Sequence, residues 1–476
     1  MAYFLGIDIG TTATKAVAFS QEGAVLYERA LGYPMMHPQP DWAEQDPREI
    51  FEAVLSVVEN TVRHFNTPPA LISFSAAMHS LMAVDEQGDP LTNLMLWADN
   101  RAAEIATILH HEHRAFALYK KTGVHVYAMS PYCKLIWLRD REPEIFRRAS
   151  RFIGIKEYIF SRLFGVYVVD SSLAAATGLM NRYTLSWDGE ILTSLAIVPG
   201  KLSAIVPVRS VFRSPRLLDG LDATPFVIGG SDGAMANWGA SSAGDGSLVV
   251  SIGTSSAVRI IARDPVTDPN MRSFCYHIED DLFLVGGASN NGAVVMQWLK
   301  EKFFVSHEEP GEWLQQAAAG KPEREGLLFL PYILGERAPI WNASAKGVLF
   351  GLTINHGRDA VIRAALEAVI RCAYAIGSPL IGKQPIRHIE ATGGFARNDH
   401  GMQMLADMFN LPVRVSGTVE NAAWGAVKLG MQAMGHQPKP ESRDIKEFFP
   451  DKTNFAIYRH QFERSEKLYE QLKPLF

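Results

Sequence analysis

A repeated pattern of eight residues constrains the fold of this 476-residue chain more than any other feature of its sequence. Residues 5–12 read LGIDIGTT, and residues 248–255, about half a chain later, read LVVSIGTS. In each copy an apolar run reaches a glycine, Gly10 or Gly253, and a second apolar run follows the turn. Short connections between apolar runs are typical of β-hairpins. We therefore expect two hairpins of one design, one in each half of the chain.

A second pair of segments extends this internal repeat. The predicted strand 71–74 precedes the segment 75–80, and the predicted strand 386–391 precedes the glycine pair of segment 392–396. A single hydrophobic core rarely grows beyond about 250–300 residues, so the length alone favours two domains. We predict an α/β protein with domains at residues 1–244 and 245–476, divided near Ser242–Gly246. Duplicated domains of this kind are expected to face each other across a central cleft.

Composition excludes several classes of protein. The chain is 47% hydrophobic with a formal net charge of −5, which argues against intrinsic disorder and against nucleic acid as the main partner. The three cysteines are widely spaced and show no zinc-binding pattern. No run of 18 apolar residues is present, so no membrane span is expected. We expect a cytoplasmic protein.

The first repeat contains a motif suited to phosphate. Residues 8–15 have the form DxGTTxxK, in which Gly10 permits a tight turn. Thr11 and Thr12 offer hydroxyl and N–H groups to phosphate oxygens, Lys15 adds a cation, and Asp8 is suited to holding Mg²⁺ through water. A plain hairpin turn would need the glycine but neither charge. The second repeat lacks both charges, which predicts that it supplies neutral donors.

Two further glycine-rich turns follow apolar runs. In residues 229–233 the turn carries Asp232, a carboxylate placed to accept a proton from an attacking hydroxyl, although Asp beside Gly is also common in ordinary turns. The turn at Gly393 and Gly394 precedes a helical pattern and leaves a flat backbone surface for a nucleoside. A simple helix N-terminus would explain the same glycines.

A polar constellation suited to a sugar lies between these turns. Met78 and His79 follow a predicted strand, Trp97 and Arg101 follow a predicted hairpin, and the segments 170–172 and 335–339 complete the set. An aromatic ring covers the C–H face of a sugar while polar groups bind its hydroxyls. Each residue also has a structural interpretation: a core histidine, a packed tryptophan and a surface arginine.

These motifs together resemble the FGGY family of carbohydrate kinases across nearly the whole chain. Residues 8–15 and 251–255 are similar to its two phosphate loops, and residues 129–140 and 347–352 to its two signatures. Arg141 and Ala360 depart from the signatures at their edges. The resemblance implies two ribonuclease H-like domains of the actin, sugar kinase and chaperone ATPase type around a central cleft.

The resemblance also implies the cofactors and the roles of single residues. ATP and Mg²⁺ are expected, with Asp8 at the metal, Asp232 as the catalytic base, and Asp232, Met78, His79, Trp97 and Arg101 on the substrate. The residues expected at ATP and its phosphates are Gly10, Thr11, Thr12, Lys15, Gly253, Thr254, Ser255, Gly292, Gly393, Gly394 and Asn398. A homodimer is what the family suggests.

The substrate implied by the resemblance is a sugar acid. Segments 73–80, 97–101, 153–160 and 391–397 are most similar to family members that phosphorylate the terminal hydroxyl of D-gluconate. A cation should then face the substrate carboxylate, and Arg101 or Arg337 is the candidate. Xylulose or another polyol is the alternative substrate. An ATP-driven binding protein of the actin or chaperone type is the alternative from another class.

Overall fold

The computed structural model describes residues 2–241, 246–303, 321–322, 326–416, 420–438 and 445–476. Within these residues, no helix combines the length and the apolar character needed to cross a membrane. The α-helices, in chain order, are α1 (Pro47–Phe65), α2 (Ala103–His111), α3 (Ala115–Thr122), α4 (Pro131–Arg141), α5 (Pro143–Arg148), α6 (Ile155–Phe164), α7 (Ser171–Ala175), α8 (Gly189–Leu195), α9 (Asp232–Ala240), α10 (Val294–Phe303), α11 (Arg358–Ile381), α12 (Asp399–Phe409), α13 (Asn421–Ala433) and α14 (Lys452–Leu472).

The strands form two large sheets and several two-stranded ladders. In chain order they are β1 (Phe4–Ile9), β2 (Ala13–Phe19), β3 (Val25–Gly32), β4 (Glu44–Gln45), β5 (Leu71–Ala76), β6 (Met82–Val84), β7 (Leu94–Met95), β8 (Arg151–Ile153), β9 (Val168–Asp170), β10 (Met180–Asn181), β11 (Ser186–Trp187), β12 (Ala204–Val206), β13 (Val211–Phe212), β14 (Phe226–Ser231), β15 (Ser247–Ile252), β16 (Ser256–Ala262), β17 (Phe274–Glu279), β18 (Leu282–Ser289), β19 (Leu328–Pro331), β20 (Gly347–Phe350), β21 (His388–Thr392), β22 (Val413–Val415) and β23 (Lys446–Phe448).

The first sheet has the order β13-β14-β5-β1-β2-β3. Strand β1 is antiparallel to β2, which places Asp8 opposite Lys15, and parallel to β5, which in turn is parallel to β14. The carboxyl ends of β1, β5 and β14 therefore meet at one edge of the sheet. Helix α1 covers this sheet and begins where the Asp46 side chain accepts a hydrogen bond from the Arg48 N–H.

The second sheet has the order β17-β18-β16-β15-β21-β22-β23 and follows the same plan. Strand β15 is antiparallel to β16 and parallel to β21, as β1 is to β2 and β5. The two predicted pairs of repeated segments thus occupy equivalent places in two sheets, and the predicted α/β fold with two related halves is confirmed. The copies differ at one edge: β18 lies beside β16 as β3 lies beside β2, but the second sheet has one additional outer strand, β17.

Each sheet carries its own apolar core, but one helix crosses between the halves. Helix α13 lies late in the chain and packs on β1 and β5 of the first sheet and against α9. Its residues Ala423, Trp424 and Val427 share a buried cluster with Phe4 and Phe19. The predicted division between residues 244 and 245 lies outside the described residues and stays a prediction.

The contact between α9 and α13 depends on glycine. A Cβ added to Gly425 would collide with the carbonyl oxygen of Met235 in α9. We expect Gly425→Ala to lower the free energy of unfolding by about 3 kcal/mol, because neither helix backbone can move without disturbing the first sheet. Denaturant titration measures this change. Gly189→Ala, at a helix position with no atom near the added Cβ, is the control and should leave stability equal or slightly higher. An unchanged midpoint for Gly425→Ala would contradict this packing.

Candidate active site

The turn between β1 and β2 links the first predicted phosphate loop to the sugar constellation. The Gly10 N–H donates to the Ala13 carbonyl oxygen at 3.0 Å and closes the turn. The Thr11 hydroxyl accepts a hydrogen bond from Trp97 Nε1 at 3.0 Å, and the Thr11 carbonyl oxygen accepts one from Gln45 Nε2 at 2.7 Å. Thr12 is exposed beside it. Thr11 is thus held in place by the loop that carries Trp97.

Asp8 lies at the carboxyl end of β1 and carries an unusually basic carboxylate. Its pKa is raised to about 6, mainly by burial and also by the carboxylates of Asp232 and Glu420, against the opposing effects of Ser75 and Lys15. Its Oδ1 atom is buried without a hydrogen-bond partner among the described residues. Lys15 binds Glu420 at 2.8 Å and Glu28 at 3.6 Å, so this cation is shared among carboxylates before any phosphate arrives.

The surroundings of Asp8 are suited to a divalent cation. A buried carboxylate oxygen without a partner, beside two further acidic groups, is stabilised by added positive charge. The described residues contain no group of three or more His, Cys, Asp or Glu side chains that could hold a metal by themselves. Mg²⁺ suits such a site, because it keeps several waters and is held by one or two carboxylates together with substrate phosphates.

Asp232 is the first residue of α9, directly after β14. Burial raises the pKa of its carboxyl group, whereas Arg259, the Gly233 N–H, Lys156 and Arg337 oppose that rise. Its Oδ1 accepts a hydrogen bond from the Gly233 N–H at 2.7 Å. A desolvated carboxylate with a raised pKa is a stronger base than an exposed one, as proton abstraction requires.

A buried ion pair supports β14, the strand that directly precedes Asp232. Lys156 Nζ binds the Asp170 carboxylate at 2.8 Å and the carbonyl oxygens of Ile228 and Gly230 at 3.0 and 2.8 Å. Asp170 accepts a hydrogen bond from the Ser172 hydroxyl, which in turn accepts one from the Ser231 N–H. Segment 170–172, predicted as part of the polar constellation, therefore lies beneath Asp232.

A pocket of about 180 Å³ lies between the two halves beside Asp232. It brings together four of the predicted substrate and catalytic residues, Met78, His79, Trp97 and Asp232, from three separate segments. The whole lining consists of Met78, His79, Trp97, Met129, Asp232, Ser255, Ala257, Arg259, Phe274, Tyr276, Ala288, Arg337 and Trp341. Aromatic faces and a few convergent polar groups in such a pocket are suited to a small polyhydroxy molecule.

His79 is held neutral in this pocket. Its pKa is lowered to about 3, mainly by burial and also by the charges of Lys134 and Arg337. Its Nδ1 lies 3.0 Å from the Ala176 carbonyl oxygen, so Nδ1 carries the hydrogen and Nε2 is left as an acceptor. The residue has φ of +65°, and Lys134 Nζ binds its carbonyl oxygen at 2.7 Å.

The low pKa of His79 predicts acid sensitivity of the fold. A histidine with a lower pKa in the folded than in the unfolded chain binds fewer protons when folded, so acidification below about 6.5 favours unfolding. The free energy of unfolding of the wild type should fall as the pH is lowered from 6.5 to 4.5. We expect this fall to be about 2 kcal/mol smaller in His79→Asn. Denaturant titrations across this range measure the loss. Asn tolerates the left-handed backbone, and His113→Asn, left-handed but exposed, is the control. Equal acid sensitivity of wild type and His79→Asn would contradict the prediction.

Arg101 lies outside the pocket lining, contrary to the expectation that it contacts substrate. Its guanidinium binds both Asp99 carboxylate oxygens at 2.8 Å and also Glu44, and it stacks 3.7 Å from the Trp42 ring centroid. The side chain is 2% exposed, so its charge is already neutralised in the interior. Arg101 positions the segment that carries Trp97 instead.

Two other arginines face the pocket. Arg337, the second candidate cation, lies 4.9 Å from the Trp97 ring centroid. Arg259 on β16 was missed by sequence reasoning, although a charged residue between Val258 and Ile260 in an apolar strand was the available signal. Burial lowers the pKa of both arginines. The Asp232 carboxylate opposes that effect at Arg259, and the Glu336 carboxylate opposes it at Arg337.

The second predicted phosphate loop joins β15 to β16 in the other half. The Ala293 N–H donates to the Gly253 carbonyl oxygen at 2.7 Å, and the Val294 N–H donates to the Thr254 carbonyl oxygen at 3.2 Å. A Cβ on Gly292 would collide with this loop, so Gly292 packs directly beneath it. Ser255 lines the pocket, which places the loop next to Asp232.

The glycine pair predicted for the nucleoside lies beside that loop. Gly393 has φ of +86°, and an added Cβ would press on the Ile252 carbonyl oxygen at the end of β15. Gly394 is exposed, with no atom near an added Cβ. Asn398 caps α12, because its Oδ1 accepts a hydrogen bond from the Gly401 N–H at 3.0 Å. These residues form an open edge near the second loop, and their contacts with a nucleotide stay a prediction.

Comparison with protein families matches both halves of the chain. The family model described as "FGGY family of carbohydrate kinases, N-terminal domain" matches residues 3–239. The model of the C-terminal domain of the same family matches residues 248–434. The two matches lie on either side of the predicted division.

Individual proteins are similar over the full length. The chain is 43% identical to the gluconokinase of Bacillus licheniformis, an alignment that covers 100% of this chain and 95% of that protein. The structure of gluconate kinase from Lactobacillus acidophilus superposes with a TM-score of 0.95 at 34% identity and covers 99% of this chain and 98% of that one. A ligand-bound xylulose kinase from the same organism gives the same TM-score and identity, with 99% of each chain covered.

Proposed function

Because the chain belongs to the FGGY family of carbohydrate kinases, we propose that it transfers the γ-phosphate of ATP to the terminal hydroxyl of D-gluconate. The observation that carries this proposal is the pocket in which Asp232 lies together with neutral His79 and two arginines. A base serves the attacking hydroxyl, and the arginines suit a substrate that carries a carboxylate. The 43% identity to a gluconokinase supports the same substrate.

In the proposed mechanism Asp232 accepts the proton of the attacking hydroxyl. The carboxylate is buried at the start of α9 and next to the loop that contains Ser255, so hydroxyl and phosphate would meet beside it. Phosphoryl transfer needs little covalent chemistry from the protein, so positioning and charge neutralisation supply most of the rate. Closure of the pocket between the halves excludes water, which would otherwise accept the phosphate.

The two glycine-threonine loops are proposed to hold the phosphates of ATP. Thr11, Thr12 and Lys15 would act from the first half, and Gly253, Thr254 and Ser255 from the second. Gly292, Gly393, Gly394 and Asn398 would line the nucleotide on the second half. Asp8 would hold Mg²⁺, which when bound neutralises charge on the phosphates.

The sugar acid is proposed to lie between Trp97 and the second sheet. His79 Nε2 would accept a hydrogen bond from a substrate hydroxyl, and the Trp97 ring would cover its C–H face. Met78 adds an apolar wall. Arg101 would contribute indirectly, by holding the segment 97–101 through its ion pairs with Asp99 and Glu44.

Xylulose is the second candidate substrate, supported by the equally similar xylulose kinase structure. Rates of ADP release with D-gluconate, D-xylulose and glycerol as acceptors test the choice. We expect kcat/KM for D-gluconate to exceed the other two by a factor of 100 or more, on the order of what buried polar recognition provides. A larger kcat/KM for D-xylulose would overturn the gluconate assignment. ADP release independent of any acceptor would instead favour an ATP-driven binding protein.

We also propose that the protein is cytoplasmic. The described structure leaves Cys133, Cys275 and Cys372 as buried free thiols, as expected in a reducing cytoplasm where ATP is available. A homodimer also stays a proposal, and size-exclusion chromatography with light scattering measures it.

A further inference from the structure

The pocket is lined by two guanidinium groups whose hydrogen-bonding capacity is not fully used by the described residues. The Nε atoms of both Arg259 and Arg337 are buried without a hydrogen-bond partner among the described residues. The Arg337 side chain has one long contact, from Nη2 to the Ser289 carbonyl oxygen at 3.4 Å. A buried N–H without an acceptor costs about 1–3 kcal/mol, so two such groups in one pocket indicate a missing anionic ligand.

The protein's own carboxylates do not fill this role. Asp232 is the single acidic residue in the pocket lining, and its Oδ1 is bound by the Gly233 N–H. Glu336 directs its carboxylate away, toward the Ser289 hydroxyl at 2.6 Å and the Asn290 N–H at 2.8 Å. Two positive charges therefore face one negative charge in the pocket.

The guanidinium groups of Arg259 and Arg337 are distinct from the phosphate loop, because Arg259 lies farther along β16. Ser255, Ala257 and Arg259 all line the pocket, as alternate residues along a strand do. At about 3.3 Å per residue, Arg259 begins about 13 Å along the chain from Ser255. The small side chains of Ala257 and Gly233 leave the space between open, and a Cβ on Gly233 would lie only 3.3 Å from Arg259 Nε.

We propose, resting on the function proposed above, that Arg259 and Arg337 form a clamp for the carboxylate of the sugar acid and select it over neutral polyols and ketoses. The planar guanidinium fork matches a carboxylate with two parallel hydrogen bonds. With the carboxylate at this clamp, the carbon chain would lie in the pocket among the two arginines, Asp232 and Ser255 of the second loop. The clamp thus sets which hydroxyl is phosphorylated as well as which substrate binds.

The test compares D-gluconate with D-glucitol, which has the same carbon chain but a neutral CH₂OH group in place of the carboxylate. We expect Arg259→Gln and Arg337→Gln each to lower the ratio of kcat/KM for gluconate to that for glucitol roughly 100-fold, mainly through the KM of gluconate. Arg259→Lys, which keeps the charge but loses the fork, should fall between. Arg263→Gln, an exposed arginine just beyond the same strand, is the matched control and should leave the ratio unchanged.

Several outcomes would overturn the clamp. An equal fall of kcat/KM for both acceptors would mean that Arg259 acts through its neighbour Asp232. An unchanged kcat/KM for each acceptor would mean that Arg259 faces no carboxylate. The dissociation constant of ADP, measured for each variant, shows that the fold persists. If the wild type does not phosphorylate gluconate, the proposed function is wrong. Calorimetry then decides the clamp: gluconate binding that weakens in Arg259→Gln supports it, and unchanged or absent binding overturns it.

Discussion

Asp232→Asn is expected to lower kcat for gluconate phosphorylation roughly 10³-fold, within the range that general-base catalysis contributes. The amide keeps the size of the side chain and an oxygen that accepts the Gly233 N–H, but it cannot take up a proton at neutral pH. KM for gluconate should change little, because the hydroxyl still finds a hydrogen-bond partner. Steady-state kinetics by coupled ADP release measures both constants.

Stability separates this effect from a folding defect. Burial raises the pKa of Asp232, so its charged form is disfavoured in the folded protein and a neutral amide should not lower the free energy of unfolding. Asp281→Asn, which removes an exposed ion pair with Arg263, is the control and should keep wild-type turnover. Near-wild-type turnover of Asp232→Asn with an intact fold would show that the base has been assigned wrongly.

Lys156→Met is expected to destabilise the fold by about 3–5 kcal/mol. The ion pair with Asp170 is almost completely buried, with side-chain exposures of 1% and 0%, so removing the lysine leaves a carboxylate without its counter-charge. The carbonyl oxygens of Ile228 and Gly230 also lose their donor. Since these residues belong to the strand that directly precedes Asp232, turnover should fall as well. Denaturant titration and steady-state kinetics measure the two effects.

A variant of an exposed ion pair and a double variant test whether the loss in Lys156→Met comes from the buried ion pair. Lys446→Met removes an ion pair with Asp399 whose partners are 57% and 58% exposed, and it should cost less than about 1 kcal/mol. Combining Lys156→Met with Asp170→Asn should recover part of the loss, because the amide oxygen still caps α7 without carrying a charge. A loss below about 1 kcal/mol for Lys156→Met alone would contradict the buried pair.

The features predictable from sequence are those set by short segments. The glycine-threonine turns, the strand before Asp232 and the repeated plan follow from apolar runs and turn residues that lie next to one another in the chain. Met78, His79 and Trp97 each directly follow a predicted strand or hairpin and line the pocket, and their contact with substrate stays a prediction. The resemblance to a family then joined these separate motifs into one site.

The features that escaped prediction depend on partners far apart in the chain. From the sequence, Arg101 is expected to be a cation available to the substrate. The structure instead places the carboxylates of Asp99 and Glu44 around it. Lys15 likewise gains Glu420, 405 positions later. Arg259 was overlooked because only the packing of the second sheet against the first reveals which face of β16 lines the pocket. Charge pairing of this kind cannot be read from local patterns.

The packing of α13 on the first sheet makes each half depend on the other. A chain cut at the predicted division would leave the first half without Ala423, Trp424 and Val427, and its apolar partners Phe4 and Phe19 would face water. In the second half, α13 would lose its contacts with β1, β5 and α9. We therefore expect neither piece to be as stable alone as within the whole chain. The chain completes its first half only after nearly all of it has been synthesised.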